Sequence, residues 1–174
     1  MTRFLYLAGP SIFRPDARVI GHELKQICLA HGCEGLYPLD GSDAVKPGHD
    51  RRATACLHYV CNMAMLGKAD AVVADIAPFR GPHMDPGTAF EIGWAVARSI
   101  PVFAYTAEPK ILIERMESEL AYDPAPVRRD LEENLIEDFG LAENLMISIP
   151  SSGPWSTAEA AISAAAHHLM SKAA

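Results

Sequence analysis

Residues 71–93 read AVVADIAPFRGPHMDPGTAFEIG, and they decide which kind of sheet this chain builds. The apolar run at their start is typical of a strand buried on both faces, as in a parallel sheet. A polar loop with Asp75 and Asp85 follows, and a helix carrying Glu91 comes after it. Carboxylates at the carboxyl edge of a buried strand and on the next helix are positioned to meet in one crevice. If the protein is an enzyme, we therefore expect carboxylate chemistry here.

Strand and helix patterns alternate along the rest of the chain. Strands are predicted at residues 3–8, 34–39, 70–76, 101–105 and 144–149. Helices are predicted at residues 16–31, 50–67, 88–99 and 156–172, with one or two more in the polar segment 106–140. The alternation implies right-handed βαβ crossovers and a parallel sheet with helices on both faces. Since the sequence shows neither a linker nor an internal repeat, we expect one α/β domain over residues 1–174.

Composition and charge limit the classes of function. The chain has 174 residues, which is long enough to bury a substantial core. Its 49% of hydrophobic and 21% of charged residues are ordinary for a soluble globular protein. The formal net charge is −7 at pH 7. Because nucleic-acid binding needs a basic surface, we expect no nucleic-acid partner and a small, neutral or weakly charged ligand instead.

The four cysteines and the lack of targeting patterns indicate the cytoplasm. Cys28 and Cys33 form one C-x4-C pair, and Cys56 and Cys61 form the other. Neither spacing is that of a zinc site, and scattered thiols are typical of a reducing compartment. No segment reads as a signal peptide or is long enough to span a membrane. We therefore expect a cytoplasmic protein with no metal site, no disulfide and no membrane partner.

Several common catalytic motifs do not occur in the sequence. It contains no G-x-G-x-x-G and no G-x-x-x-x-G-K-[ST], so dinucleotide and Walker-type NTP binding are both disfavoured. It also contains no nucleophile elbow and no H-E-x-x-H pattern. The carboxylates of residues 71–93 remain the strongest chemical groups in the chain.

These carboxylates allow a structural interpretation beside the catalytic one. Thr88 and Glu91 match an N-terminal capping box. Asp85 suits a helix or turn cap, and Asp75 suits a solvated turn. In the catalytic interpretation the carboxylates repel one another, so at least one has a raised pKa and keeps its proton at neutral pH. Separated pKa values let one carboxylate act as nucleophile while another donates a proton.

Three further residues at the carboxyl edge are candidates for ligand contact. Asp40 ends the second predicted strand, so the topology brings it to the same edge as the first and third strands. Gly9 after the first strand and Gly87 before the helix permit close approach of the backbone to a ligand.

Aromatic and basic side chains near this edge are weaker candidates. Phe13, Phe79 and Arg80 offer flat surfaces to a planar ligand. Tyr6 in the first strand either packs in the core or points toward the site. His83 lies in the loop between Asp75 and Asp85 and is a further candidate for substrate contact.

Four segments of the chain resemble motifs of one known family. They are residues 6–10 (YLAGP), 37–40 (YPLD), 69–95 with DPGTAFEIG (85–93) at their centre, and 143–145 (ENL), of which the third is the most specific. On these segments, and over most of residues 3–149, the chain is similar to the nucleoside 2-deoxyribosyltransferase family. The resemblance implies a flavodoxin-like three-layer sandwich, with a five-stranded parallel sheet and helices on both faces.

The resemblance also implies roles for individual residues. Glu91 corresponds to a nucleophile that forms a covalent deoxyribosyl intermediate, and Tyr6 to a tyrosine that hydrogen-bonds and orients this Glu. Asp85 and Asn144 correspond to groups that hold the sugar, and in the family the Asn serves the neighbouring subunit's site. We therefore expect a homodimer or higher homo-oligomer with shared active sites. The substrates implied are a 2′-deoxynucleoside and a free nucleobase, and no metal or organic cofactor is needed.

One position departs from a pattern of the family. Members of one type carry an Asp where this chain has Asn62, so the group that protonates the leaving base does not follow from the resemblance. Asp75 is the candidate for that acid, and Asn62 is a candidate for substrate binding. The expected reaction moves deoxyribose between bases with retention at C1′.

Two other functions fit the same residues. A hydrolase would deliver the intermediate to water, acting on a (deoxy)nucleoside 5′-monophosphate whose phosphate Ser11 and Arg14 could bind. A non-enzymatic nucleotide-binding module could use the same sheet, because such folds host many functions. A preference for monophosphates would mark the first alternative. Ligand binding without turnover, unchanged in Glu91→Gln, would mark the second.

Overall fold

The computed structural model describes residues 2–44, 50–116 and 128–172 of the chain. Within these ranges lies a five-stranded sheet whose neighbouring strands are all parallel, in the order β2-β1-β3-β4-β5. The strands are β1 (Arg3–Ala8), β2 (Cys33–Leu36), β3 (Ala71–Asp75), β4 (Val102–Tyr105) and β5 (Ser152–Trp155). The predicted α/β class with a five-stranded parallel sheet is confirmed.

The helices occupy the connections between the strands. The longer ones are α1 (Ala17–Ala30), α2 (Arg51–Lys68), α3 (Pro86–Ala97) and α6 (Ala158–Ser171), while α4 (Leu112–Arg115) and α5 (Leu145–Ser148) are about one turn each. Short 3₁₀ helices follow β1 and β2, at Pro10–Phe13 and Pro38–Ala44. Across the described ranges, we find no helix with the length and apolar character needed to cross a membrane.

The sheet separates two apolar cores, because successive side chains of a strand point to opposite faces. Leu5 and Leu7 of β1 belong to the core that includes Cys28 of α1 and several residues of α6. Tyr6 of the same strand belongs to the other core, with Leu66 of α2 and Ile92 of α3. Helices therefore cover both faces of the sheet, as the alternating pattern predicts.

The fifth strand lies later in the chain than residues 144–149, so its predicted position is wrong. Asn144 instead starts the helix α5, and its Oδ1 accepts the backbone N–H of Met146 at 2.9 Å. The observed strand β5, of sequence SGPW, is mostly exposed and lies at the edge of the sheet, where a proline is tolerated. Such a strand lacks the apolar run by which sequence patterns reveal strands.

The segment after β4 is less regular than predicted. Of the helices expected in residues 106–140, the described part contains only the short α4, and an isolated antiparallel bridge joins Arg129 to Leu135. Residues 117–127 lie outside the described residues. Strand β2 is also shorter than predicted, because Pro38 has no N–H for a ladder and begins a 3₁₀ helix.

Candidate active site

The loops that follow β1 and β3 begin side by side at the carboxyl edge of the sheet. These strands are neighbours in the order β2-β1-β3-β4, yet the chain leaves β1 toward β2 and leaves β3 toward β4. Connections that run in opposite directions open a crevice between them, which is the usual ligand site of an open α/β sheet. The sequence candidates Gly9 and Asp75 stand at this edge, as the topology predicts.

A tyrosine–glutamate pair joins the sheet to α3. The phenol O–H of Tyr6, which is fully buried, donates a hydrogen bond to Glu91 Oε1 at 2.5 Å. Burial raises the pKa of Glu91 to about 7; the Tyr6 hydrogen bond opposes this rise, and the charge of Asp85 adds to it. Burial, together with the Glu91 charge, raises the pKa of Tyr6 far above its usual range, so Tyr6 remains a donor. No described residue donates to Glu91 Oε2, which is therefore open to a ligand.

The start of α3 decides between the two interpretations of its polar residues. Asp85 precedes the helix, Pro86 is its first residue, and Asp85 Oδ2 accepts Thr88 N–H at 2.8 Å and Thr88 Oγ1–H at 3.0 Å. The capping role of Asp85 is confirmed, and the capping box of Thr88 with Glu91 is wrong because the helix begins two residues before Thr88. Asp85 Oδ1 receives no hydrogen bond from the described residues. A Cβ on Gly87 would lie 3.0 Å from Asp85 Oδ2, so glycine leaves room for the cap.

Asp75 ends β3 in a largely buried position rather than in a solvated turn. Its Oδ1 accepts the backbone N–H of Ala77 at 3.0 Å. Burial raises the pKa of Asp75 although this hydrogen bond opposes the rise. Gly9 packs directly against it, because a Cβ on Gly9 would lie only 2.8 Å from Asp75 Cβ. The close approach explains why the turn after β1 requires a glycine.

Two phenylalanines and an arginine form a flat stack on the loops after β1 and β3. The rings of Phe13 and Phe79 lie 5.1 Å apart with an interplanar angle of 19°. The Arg80 guanidinium carbon lies 4.5 Å from the Phe79 ring centroid and 5.3 Å from that of Phe13. Phe13 is 54% exposed, so the stack keeps a free aromatic surface. The structure thus brings together the three side chains predicted to offer flat surfaces.

Asp40 is engaged away from this crevice. Its Oδ1 pairs with Lys25 Nζ at 2.6 Å and its Oδ2 accepts the backbone N–H of Tyr37 at 3.0 Å. It lines a cavity of about 250 Å³ together with side chains of α1, Lys25 among them. Both oxygens of Asp40 are therefore bonded within the protein, and no described contact links Asp40 to the Tyr6–Glu91 pair. Its role in ligand binding stays a prediction.

The two asparagine candidates differ in their surroundings. Asn144 Nδ2 donates to both carboxylate oxygens of Glu137 at 3.1 Å, and its Oδ1 caps α5, so the described contacts of this chain do not bring it to Glu91. Asn62 Oδ1 is buried on α2, and within the described residues no donor reaches it. Asn62 therefore carries an acceptor that a ligand could satisfy.

Glu143 belongs to the ENL segment that resembles the family, but the sequence assigned it no role. Its carboxylate is fully buried and contacts Arg115 and the loop that leads to Asp85. Its partners are 28 or more residues away in sequence, apart from the adjacent Asn144. A single glutamate in a polar segment gives no periodic signal of burial, so sequence patterns could not find it.

The remaining polar candidates near β1 are paired with neighbours. Ser11 Oγ and the Tyr37 hydroxyl are hydrogen-bonded at 2.9 Å, and Arg14 pairs with Asp16 at 2.9 Å on the surface. In the part of the chain that the structure describes, no three His, Cys, Asp or Glu side chains are grouped to hold a metal ion.

Comparison with known proteins agrees with this fold. The sequence model of the family described as nucleoside 2-deoxyribosyltransferase matches residues 5–146. A 2-deoxyribosyltransferase from Leishmania mexicana has a similar structure, with a TM-score of 0.74 and 26% identity, over 95% of this chain and 98% of that chain. A 2-deoxyribosyltransferase from the psychrotolerant bacterium Bacillus psychrosaccharolyticus shares the fold, with a TM-score of 0.52 and 19% identity, over 70% of this chain and 86% of that chain.

A relative of closer sequence is an uncharacterised protein of Schizosaccharomyces pombe. It is 33% identical over 115 residues, which are 66% of this chain, and the match spans about half, 54%, of the relative's own length. The parallel α/β sheet is the fold of the solved 2-deoxyribosyltransferases. The chain belongs to the nucleoside 2-deoxyribosyltransferase family, as its motifs predict.

Proposed function

We propose that the protein transfers the 2-deoxyribosyl group of a 2′-deoxynucleoside between nucleobases through a covalent intermediate on Glu91. The buried Tyr6–Glu91 pair carries this proposal, because it holds one carboxylate oxygen and leaves the other open. A carboxylate that is fixed in orientation and poorly solvated suits nucleophilic attack at C1′. Since its pKa is about 7, a substantial fraction of Glu91 is ionised at neutral pH.

The first half-reaction exchanges the glycosidic bond for an ester bond. Glu91 Oε2 attacks C1′ while the C1′–N bond breaks, and the departing base keeps the electron pair of that bond. Asp75 is the acid that protonates the base in this scheme, and burial raises its pKa. Positive charge develops on the sugar in the transition state, and the carboxylate of Asp85 helps to stabilise it.

The second half-reaction returns the enzyme to its starting state. A ring nitrogen of the incoming base attacks C1′, the Glu91 carboxylate leaves, and the proton of that nitrogen passes to Asp75. Two displacements at one carbon give net retention at C1′. A sugar without the 2′-hydroxyl reacts more readily, because that electron-withdrawing group destabilises positive charge at C1′. None of these steps requires a cofactor.

Separate groups are available for the base and for the sugar. The exposed stack of Phe13, Phe79 and Arg80 suits a nucleobase, which stacks on aromatic and guanidinium planes. The buried Asn62 Oδ1 suits an N–H donor of the base. Asp85 retains Oδ1 for a sugar hydroxyl while its other oxygen caps α3.

We also propose a homo-oligomer in which Asn144 completes the site of a neighbouring subunit. Phe90 of α3 is 52% exposed, and Met146 beside the α5 cap is 71% exposed. Because α3 and α5 contact each other, these side chains supply an apolar surface next to Asn144. A cytoplasmic location remains an expectation from the cysteine pattern.

The monophosphate hydrolase has less support than the transferase. Arg14, its predicted phosphate contact, is paired with Asp16, and Ser11 is hydrogen-bonded to Tyr37. A phosphate would have to compete with both partners.

A base-exchange assay tests the proposed function directly. Purified protein is mixed with 2′-deoxyinosine and free adenine, products are separated by chromatography, and thymidine then replaces 2′-deoxyinosine as the donor. Formation of 2′-deoxyadenosine is the expected result, and the two donors compare purine with pyrimidine specificity. Free hypoxanthine or thymine without a new nucleoside would indicate a hydrolase, to be followed with deoxynucleoside monophosphates. Binding without turnover, equal in Glu91→Gln, would indicate a binding module.

A further inference from the structure

A buried glutamate ties three separate segments of the chain together. The side chain of Glu143 has no exposed surface, and four donors surround its carboxylate. Oε1 accepts hydrogen bonds from His83 Nδ1 at 2.9 Å and from the backbone N–H of Asn144 at 3.0 Å. Oε2 accepts hydrogen bonds from the backbone N–H of Met84 and from Arg115 Nη2, both at 3.0 Å. An ionised carboxylate only accepts, so every one of these partners is a donor.

Arg115 extends the tie to two backbone carbonyls. Its Nε donates to Pro82 O at 2.8 Å and its Nη1 donates to Lys110 O at 2.8 Å. Its side chain is only 5% exposed, and its third group is the one bound to Glu143. A guanidinium with donors in a fixed planar fork can hold three acceptors in a defined geometry, which a lysine cannot.

The anchored segments lead directly into the two residues proposed to hold the sugar. The N–H of Met84 is fixed one residue before Asp85, and the fixed N–H of the other segment belongs to Asn144 itself. Glu143 uses both carboxylate oxygens on protein donors and is shielded from solvent, so it is not placed to bind substrate. Its position instead sets where its neighbours stand.

We propose that Glu143 and Arg115 are positioning residues that hold Asp85 and Asn144 in one frame for sugar binding. This role rests on the proposed function. Because Asn144 is expected to serve the neighbouring subunit, the pair links the sugar contact of one active site to that of the next. A displacement of either segment by about 1 Å is enough to cost roughly 100-fold in rate.

Glu143→Gln tests the proposal, because the amide replaces one acceptor oxygen by a donor that faces existing N–H groups. We expect kcat/KM for base exchange to fall about 100-fold, with a raised KM for the 2′-deoxynucleoside. The pH at which kcat/KM reaches half of its maximum, which the ionisation of Glu91 sets, should not change. Amide hydrogen exchange of peptides covering residues 82–85 and 143–148 should become faster. Glu23→Gln, at an exposed position of α1, is the matched control and should change none of these quantities.

A double variant separates positioning from stability. Removing one partner of a buried ion pair leaves the other charge unpaired, whereas removing both partners is often nearly neutral. Glu143→Gln combined with Arg115→Met should therefore recover most of the Tm lost in the single variants, while kcat/KM stays low and residues 82–85 stay fast in exchange. The proposal would be overturned if the double variant recovered kcat/KM and slow amide exchange together with Tm. It would also be overturned if Glu143→Gln showed wild-type kinetics and wild-type amide exchange.

The two proposals fail in distinguishable ways. Wild-type protein without base exchange would remove the proposed function. Unchanged amide exchange in Glu143→Gln would remove the tie between the two segments, whatever the wild-type activity is.

Discussion

Glu143 is fully buried and Glu91 is half-buried, and the two glutamates differ in how many of their acceptor positions the described residues use. Glu143 accepts four hydrogen bonds, spread over both oxygens, and one of them comes from a guanidinium. Glu91 accepts one hydrogen bond, from Tyr6, on one oxygen within the described residues. A carboxylate whose oxygens are both in use acts as an anchor, whereas one with an open oxygen can react. Burial alone therefore does not identify a nucleophile, and the distribution of donors does.

The largest expected effect tests Glu91, the glutamate with an open carboxylate oxygen. Glu91→Gln keeps the shape of the side chain and an acceptor for Tyr6 but removes the attacking oxygen anion. We expect base exchange to fall at least roughly 1,000-fold, as for other deleted nucleophiles. Steady-state rates measure the loss. Mass spectrometry of wild type with donor alone should find one deoxyribosyl group on the peptide containing Glu91, and none in the variant.

A stability measurement is the control for this variant. Folding raises the pKa of Glu91 from 4.5 to about 7, so the stability contributed by its protonated form is complete below pH 4.5 and lost as pH rises through 7. Glu91→Gln has no charge to bury and should be more stable than wild type above pH 7, by on the order of 3 kcal/mol. Thermal unfolding at several pH values measures this difference in stability between Glu91→Gln and wild type. Near-wild-type exchange by a stably folded Glu91→Gln would contradict the nucleophile assignment.

The next effect in size concerns Asp75, a half-buried carboxylate that accepts one backbone N–H from the described residues. Asp75→Asn keeps an acceptor for the Ala77 N–H but removes the proton donor. We expect kcat to fall about 100-fold, the low end of what general acid catalysis contributes. Comparing bases of different leaving ability measures the role, because a base that departs easily needs no acid. An equal loss for all leaving groups would show that Asp75 only supports the site.

The sequence was sufficient wherever a feature is local and apolar. The buried strand β3 and the helix that brings Glu91 to the crevice both follow from residues 71–93, because continuous apolar runs and helix starts are short-range signals. The strand β5 could not be predicted, since it is exposed and contains a proline. The capping box at Thr88 failed for a local reason as well, because Asp85 followed by Pro86 is a stronger helix start.

Contacts between residues far apart in the chain could not be predicted from sequence patterns. Glu143 reaches Met84 across 59 positions and Arg115 across 28, and nothing in its neighbours along the chain announces burial. The Tyr6–Glu91 hydrogen bond spans 85 positions and was available only through the family resemblance. For Asp40, the sequence predicted the correct edge of the sheet but not the contact. Its carboxylate forms a salt bridge with Lys25, which the sequence pattern did not indicate.

The smallest expected effect removes Tyr6, which is the donor to Glu91 among the described residues. The hydrogen bond from Tyr6 lowers the pKa of Glu91, so Tyr6→Phe should raise that pKa further above 7. Because the nucleophile must be ionised, the rising limb of kcat/KM against pH should move to higher pH, and activity at pH 7 should fall about 10-fold, as expected for a lost hydrogen bond to a charged group. Part of the loss should return at pH values above the new midpoint. Glu143→Gln supplies the contrast, since it should lower kcat/KM without moving the midpoint. A Tyr6→Phe profile with an unmoved or lower midpoint would mean that Tyr6 does not control the charge of Glu91.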